Sequence, residues 1–205
     1  HMWKLVFNGT RYSFFLLAVF ILPLCFNIDF ILSLWLKEIP AYTNIFVILF
    51  LANVLAESYS TYLITVLLAT GKIAFYQASV GTILLLNVPL SYLAFQWGYP
   101  PVSFLVVSII LTFAASALRL FLLKKRFSFS ITLFLRSVFL KTLLTILLVS
   151  ALNFMLLNLR SLLPYGNILV LLFSCLISMG GIYILGLNSE ERRIVIVQAK
   201  KYLHR

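Results

Sequence analysis

Six apolar stretches, at about 13–28, 43–70, 73–96, 102–123, 133–157 and 164–186, leave this chain few ways to fold. Each is long enough to cross ~30 Å of hydrocarbon at a rise of about 1.5 Å per residue. Leu, Phe, Ile and Val dominate them without the polar–apolar alternation of a barrel strand, so they read as helices. The connections alternate between basic and nearly neutral. Lys4 and Arg11 precede the first stretch, Lys72 lies between the second and third, and Lys124, Lys125 and Arg126 follow the fourth. Arg192, Arg193, Lys200, Lys201 and Arg205 follow the sixth, whereas the opposite side holds only Lys37 and Arg160. This is the positive-inside pattern, and it predicts both termini in the cytoplasm. The expected fold is all-α: a polytopic membrane protein with six transmembrane helices in one bundle over 1–187, followed by a basic amphipathic cytoplasmic tail helix over 188–205.

The composition agrees, with 63% hydrophobic and only 10% charged residues and a mean hydropathy of +1.10. A soluble domain averages about a quarter charged. The net charge of +11 does not point to nucleic acid, because the cations flank apolar spans singly or in threes, as orientation signals and headgroup contacts do. The first span lacks a small-x-small cleavage site and is followed by others, so it is not a removable signal. The opening His1-Met2 marks either an expression scar or the tail of a longer chain. Cys25 and Cys175 lie inside apolar runs with no His nearby, which supports packing rather than a zinc site or a disulfide framework. His1 and His204 are terminal, no Ser-His-Asp set can be assembled, and there is no Gly-rich phosphate loop. Neither a cofactor nor an enzymatic activity is expected.

Local signals punctuate the spans. Pro23 predicts a kink in the first span, and Asn87 with Pro89 a bend in the third that frees a carbonyl near residue 85. Asp29 suits the N-cap of a short interfacial helix, Phe30 to Leu36, anchored by Trp35. Pro40, Pro100, Pro101 and Pro164 stiffen the outer turns, and Gly71-Lys72 closes a tight inner hairpin. Gly186 ends the last span. Asn188 or Ser189 then caps the tail helix, with Glu190 and Glu191 at its positive end and Val195, Ile196, Ala199, Tyr202 and Leu203 on its apolar face.

Polar groups are expensive in hydrocarbon, so those within the spans are the functional candidates. Asn53, Glu57, Thr61 and Thr65 follow one another at i+4 steps and share a helix face, with Ser58 and Ser60 beside them. Two readings stand for this stripe. Either it lines a cavity, with Glu57 as a proton- or cation-responsive group on a substrate pathway, or Glu57 is neutral and bonded to a neighbouring helix. Ser108, Thr112 and Ser116 with Ala115, and Ser174, Ser178 and Gly181, have the spacing of close helix packing. Arg119, Arg136 and Lys141 lie toward the cytoplasmic ends of the fourth and fifth spans. They either form a basic mouth that draws in a phosphate-bearing lipid or extend their apolar stems to reach the headgroups.

Several strings carry a resemblance. Ile31-Leu32-Ser33-Leu34-Trp35-Leu36, Ala69-Thr70-Gly71-Lys72-Ile73 with Tyr76-Gln77, and Asn87-Val88-Pro89-Leu90-Ser91-Tyr92 are similar to the C-terminal part of bacterial polysaccharide flippases. Leu118-Arg119-Leu120 and Leu185-Gly186-Leu187-Asn188 with Glu191-Arg192 continue the likeness, in order, over nearly the whole chain. The family comprises the O-antigen and capsule-repeat flippases of the MATE-like (MOP) superfamily. Where it often has Gly after the Trp-Leu pair, this chain has Lys37. The resemblance implies the last six helices of a two-bundle carrier whose N-terminal lobe is missing here. It also implies a place in the bacterial inner membrane. The implied substrate is a polyprenyl-diphosphate-linked glycan, moved to the outer leaflet by alternating access among membrane lipids. A cation-coupled small-molecule antiporter of the same superfamily and a non-transporting membrane scaffold subunit are the competing expectations.

Overall fold

The computed structural model describes residues 2–69, 73–127, 129–158, 166–188 and 191–192. Every regular element among the described residues is a helix. Helix α1 runs Met2–Phe26, α2 Ile28–Ser33, α3 Thr43–Ser58, α4 Thr61–Leu68, α5 Ile73–Leu85, α6 Asn87–Gln96 and α7 Ser103–Arg126. The short α8, Ile131–Phe134, passes through a π-helical turn, Leu135–Phe139, into α9, Leu140–Leu157. Helix α10, Gly166–Gly181, likewise ends in a π-helical turn, Ile182–Gly186. Among the described residues five helical runs have the length and apolarity to cross a membrane, and α3 with α4 makes a sixth when counted as one broken span. This is an all-α, multi-spanning bundle.

The polarity of the bundle is inverted relative to a water-soluble domain. Leu16 and Phe20 on α1 are 66% and 64% exposed, and Val88, Met155, Leu176 and Met179 are comparably bare. In water such a surface would drive association, whereas in hydrocarbon it is the favourable one. The interior holds Thr10, Arg11, Ser60, Thr112, Ser116, Arg119, Thr142, Asn153, Ser174 and Ser178. Lipid tails are as apolar as Leu, so hydrophobic burial does little to join spans; close packing and hydrogen bonds join them instead.

Helix α1 shows how the sequence chooses an inner face. Val6, Thr10, Phe14, Ala18 and Leu22 recur every four residues and are buried, flanked by Arg11, Phe15 and Ile21. That stripe lies against α3, α9 and α10, while α7 packs on α3, α5 and α6 on the other side of α3. The helix extends the first apolar stretch back to Met2, because Lys4 stays exposed and Arg11 finds a partner. Pro23 sits inside α1, and the helix ends three residues later, where both the backbone N–H and the side-chain amide of Asn27 donate to the Pro23 carbonyl (3.1 and 3.0 Å).

Two local expectations change. Asp29 does not cap the short helix: α2 begins at Ile28, Asn27 holds the cap position without a side-chain bond to the helix it precedes, and the Asp29 carboxylate accepts from Asn44 of α3. The backbone continues almost unbroken from α1 into α2, so the capping position falls two residues before Asp29. The sharp bend within a span is not at a proline. Helices α3 and α4 meet at 42°, at Tyr59–Ser60. There the ladder tightens to an i+3 bond, Ser60 N–H to the Glu57 carbonyl (2.8 Å), and the Ser58 hydroxyl donates back to the Leu55 carbonyl (2.7 Å). Hydroxyls that compete for backbone carbonyls bend helices without any proline. At Asn87 and Pro89 the break is confined to Leu86, and Tyr76–Gln96 still counts as one span.

The ends of the bundle differ in charge. Trp3 stacks edge-on against Phe129 (ring centroids 4.8 Å apart) and Phe7 against Phe134 (5.6 Å), so the start of α1 meets the connection after α7. Lys4, Lys124 and Lys125 are exposed at this end. Asn188 and Glu191 reach the same end through Lys141 and Arg11. Lys37, Glu38 and Asp29 belong to the opposite end. The expected hairpin at Gly71-Lys72, the turn with Arg160 and Pro164, and the tail helix beyond Arg192 lie outside the described residues.

Candidate functional site

Across the bend, α3 and α4 together with α1 frame a groove of about 630 Å³. Glu57, Ser58, Thr61 and Thr65 line one wall, and Ser13, Leu16 and Leu17 of α1 line the other. Glu57 is exposed here, and among the described residues its carboxylate has neither a hydrogen bond nor an ion-pair partner. Thr65 satisfies its own hydroxyl by donating to the Thr61 carbonyl (3.2 Å). The i+4 stripe is therefore divided. Glu57, Thr61 and Thr65 share the groove, whereas Asn53 turns to the neighbouring helix and accepts from the Thr112 hydroxyl of α7 (2.9 Å). A helix face spans an arc, and one end of this arc meets α7 while the rest meets open space.

The three cations at the basic end do not converge. Arg119 is only 6% exposed, with Nε donating to the Tyr76 hydroxyl (3.1 Å) and Nη1 to Ser60 Oγ (2.8 Å). Ser60 in turn shares a hydrogen bond with Ser116 (2.7 Å). Arg119 thus ties α7 and α5 to the bend itself, and no carboxylate lies within ion-pair distance of it among the described residues. Arg136 is exposed on the π-helical turn. Lys141 donates to Asn188 Oδ1, just past the last helix. Three different neighbourhoods receive residues that one short loop brings together in sequence.

Other ties lie where the residue pattern gave little warning. Tyr59, at the bend, shares a hydrogen bond with Thr142 of α9 (2.7 Å). Asn153 of α9 is 1% exposed, accepts from Ser174 (2.5 Å) and donates to Ser178 (3.2 Å), both on α10. The packing reading of Ser174, Ser178 and Gly181 matches this geometry, and the lone Asn in an apolar run was the available signal for their partner. Arg11 of α1 is paired with Glu191 across nearly the full length of the chain, and the Asn188 N–H donates to Glu191 Oε2 (2.7 Å). Arg11 carried only an orientation meaning in the sequence, since nothing local marks its partner.

The chain matches no family model, no curated protein and no solved structure, and its own geometry makes it a multi-pass membrane bundle with a carboxylate-bearing groove at a broken helix.

Proposed function

We propose that the chain is part of a carrier that moves polyprenyl-diphosphate-linked oligosaccharides across the bacterial inner membrane by alternating access, and is not an enzyme. The observation that carries this reading is Glu57, an unpaired carboxylate on a groove of about 630 Å³ beside a helix bent by 42°. An acidic side chain in the membrane region is costly unless hydrated, paired or protonated, so its place on an open groove favours a solvated pathway over a packing role. A broken span supplies a place where two segments can tilt relative to each other. The similarity of the Trp35, Gly71-Lys72 and Asn87-Pro89 strings to polysaccharide flippases supplies the substrate class and the missing N-terminal lobe as a partner. Asn53, Thr61 and Thr65 belong to the pathway lobe in this reading, and Arg119, Arg136 and Lys141 are separate contacts for the diphosphate at the basic end rather than one cluster.

Glu57→Gln in the full-length transporter is expected to impair surface-glycan export while membrane abundance stays at the wild-type level. Normal export in that variant reduces Glu57 to a groove-wall residue and removes the main support for the reading. A second reading, a cation-coupled small-molecule antiporter, draws on the same unpaired Glu57. Proton-dependent efflux of a hydrophobic cation that Glu57→Gln abolishes, with no response to lipid-linked sugar, selects it.

The carrier reading also requires an orientation. With Cys25 and Cys175 replaced by Ser, a cysteine at Lys124 is expected to react with an impermeant maleimide only after the membrane is opened, and one at Lys37 before. Labelling of the Lys124 position in intact cells overturns the cytoplasmic placement of both termini.

A further inference from the structure

At the basic end of the bundle a second cleft, of about 390 Å³, opens between α1, the π-helical turn after α8 and the segment past the last helix. Its polar walls are Lys4, Asn8, Arg11, Ser137 and Asn188. Arg11 is 5% exposed. One of its amino groups is engaged by Glu191, yet its Nε is buried with no hydrogen-bond partner. A guanidinium carries its donors in a planar fork and never gives up its charge, so a buried N–H left without an acceptor is a cost that a bound oxyanion removes.

The other groups around the cleft are donors as well. Lys141 occupies the Asn188 carbonyl oxygen, which leaves the Asn188 amide N–H₂ free to donate. The Asn8 amide has no intramolecular partner among the described residues. Ser137 is different: its hydroxyl proton is committed to the Leu133 carbonyl (2.5 Å), so it contributes only lone pairs and shape. Lys4 and Arg11 line the cleft, Lys141 and Arg192 lie beside Arg11 and its partner Glu191, and the balance among these described residues favours an anion. The volume exceeds that of one water, roughly 30 Å³, many times over and holds a phosphate ester with its first substituent. The cleft lies at the same end of the bundle as the exposed Lys124 and Lys125.

We propose that this cleft is a phosphate site, in which Arg11 Nε and the Lys4 ammonium clamp a phosphate-ester anion. It does not rest on the carrier reading, because its clamping residues, Arg11 and Lys4, belong neither to the groove nor to the diphosphate contacts and the site needs no transport. Occupancy would also brace the Arg11–Glu191 pair and so fasten the segment after the last helix to the first.

The test uses the 205-residue chain purified in an uncharged detergent, with thermal stability read against added ligand at constant ionic strength. Short-chain phosphatidylglycerol and glycerol phosphate are the probes, and phosphatidylcholine and chloride are the controls. A saturable rise with either probe supports the site: a response to phosphatidylglycerol alone assigns the lipid headgroup, and a response to glycerol phosphate as well assigns free phosphate esters. Arg11→Lys keeps a cation for Glu191 but lacks the Nε–H, and is expected to weaken binding about tenfold, the usual loss for one charge-assisted hydrogen bond. Lys4→Gln, at an exposed position that folding does not depend on, is expected to weaken it by about the same factor and carries the test if Arg11→Lys misfolds. The Lys124→Gln/Lys125→Gln pair, outside the cleft, leaves binding unchanged. No response to either probe overturns the proposal. So does wild-type binding by Lys4→Gln, or an equal loss in the Lys124/Lys125 pair, which would reduce the effect to general surface charge.

Discussion

Arg119→Ala is expected to cost the bundle about 3 kcal/mol, the typical loss when a large buried side chain is truncated and its hydrogen bonds go with it. The guanidinium fills space between α5, α7 and the bend after α3, and it donates to Tyr76 and Ser60 at 3.1 and 2.8 Å. Ser60 keeps Ser116 as a partner, so the larger losses fall on Tyr76 and on the void itself. Arg119→Met separates the two contributions. It preserves the volume, removes the donors and should cost about 1 kcal/mol, the scale of hydrogen bonds between helices in membranes. Arg119→Lys keeps the charge, but a single ammonium on a flexible stem does not reproduce a planar fork between two partners. Unfolding of the purified chain in detergent measures all three. Wild-type stability of the alanine variant would show that the Tyr76 and Ser60 contacts do not hold the bend. A methionine variant that is stable but fails to bind lipid-linked substrate would return Arg119 to the diphosphate role.

Gly180→Ala and Gly181→Ala should move stability in opposite directions, although the two positions are neighbours on α10. Both substitutions gain about 0.8–1.0 kcal/mol of helix propensity. At Gly180 the new methyl meets open space, whereas at Gly181 it would stand 2.8 Å from Cγ2 of Val149 on α9. Val149 is fully buried and branched at Cβ, so it has no free rotamer to turn into. Forcing helices apart in a packed interior typically costs about 1–3 kcal/mol, which outweighs the propensity gain. The separation would also strain Asn153, which bonds to Ser174 and Ser178 on the same helix pair. Gly181→Ala is therefore destabilising, Gly180→Ala is neutral or stabilising, and Val149→Ala restores the Gly181→Ala protein by removing the opposing methyls. A Gly181→Ala protein as stable as wild type while Val149 is still present would mean that α9 and α10 adjust freely at this crossing.

The residue pattern could define the spans because a bilayer is an exacting solvent. It accepts only backbone whose hydrogen bonds close within a helix or a barrel, and it requires about 20 apolar residues to cross. The all-α class and the charge asymmetry between the two ends follow from that constraint, and both were legible along the chain. The polar stripe of Asn53, Glu57, Thr61 and Thr65 was legible as a helix face, since the 3.6-residue period places i+4 neighbours together whatever surrounds them. What each side chain would meet was not. Only the positions of α1 and α7 sent Asn53 into a hydrogen bond with Thr112 and left Glu57 over a groove. The bend at Tyr59–Ser60 carries no proline or glycine, and arises where Arg119 and Ser116 hold Ser60 and Thr142 holds Tyr59. Arg11 and Glu191 stand 180 residues apart, so no local spacing foretells their pairing. The solvent sets which segments lie in the membrane. Which polar groups face one another depends on contacts between helices distant in sequence, and packing alone decides those.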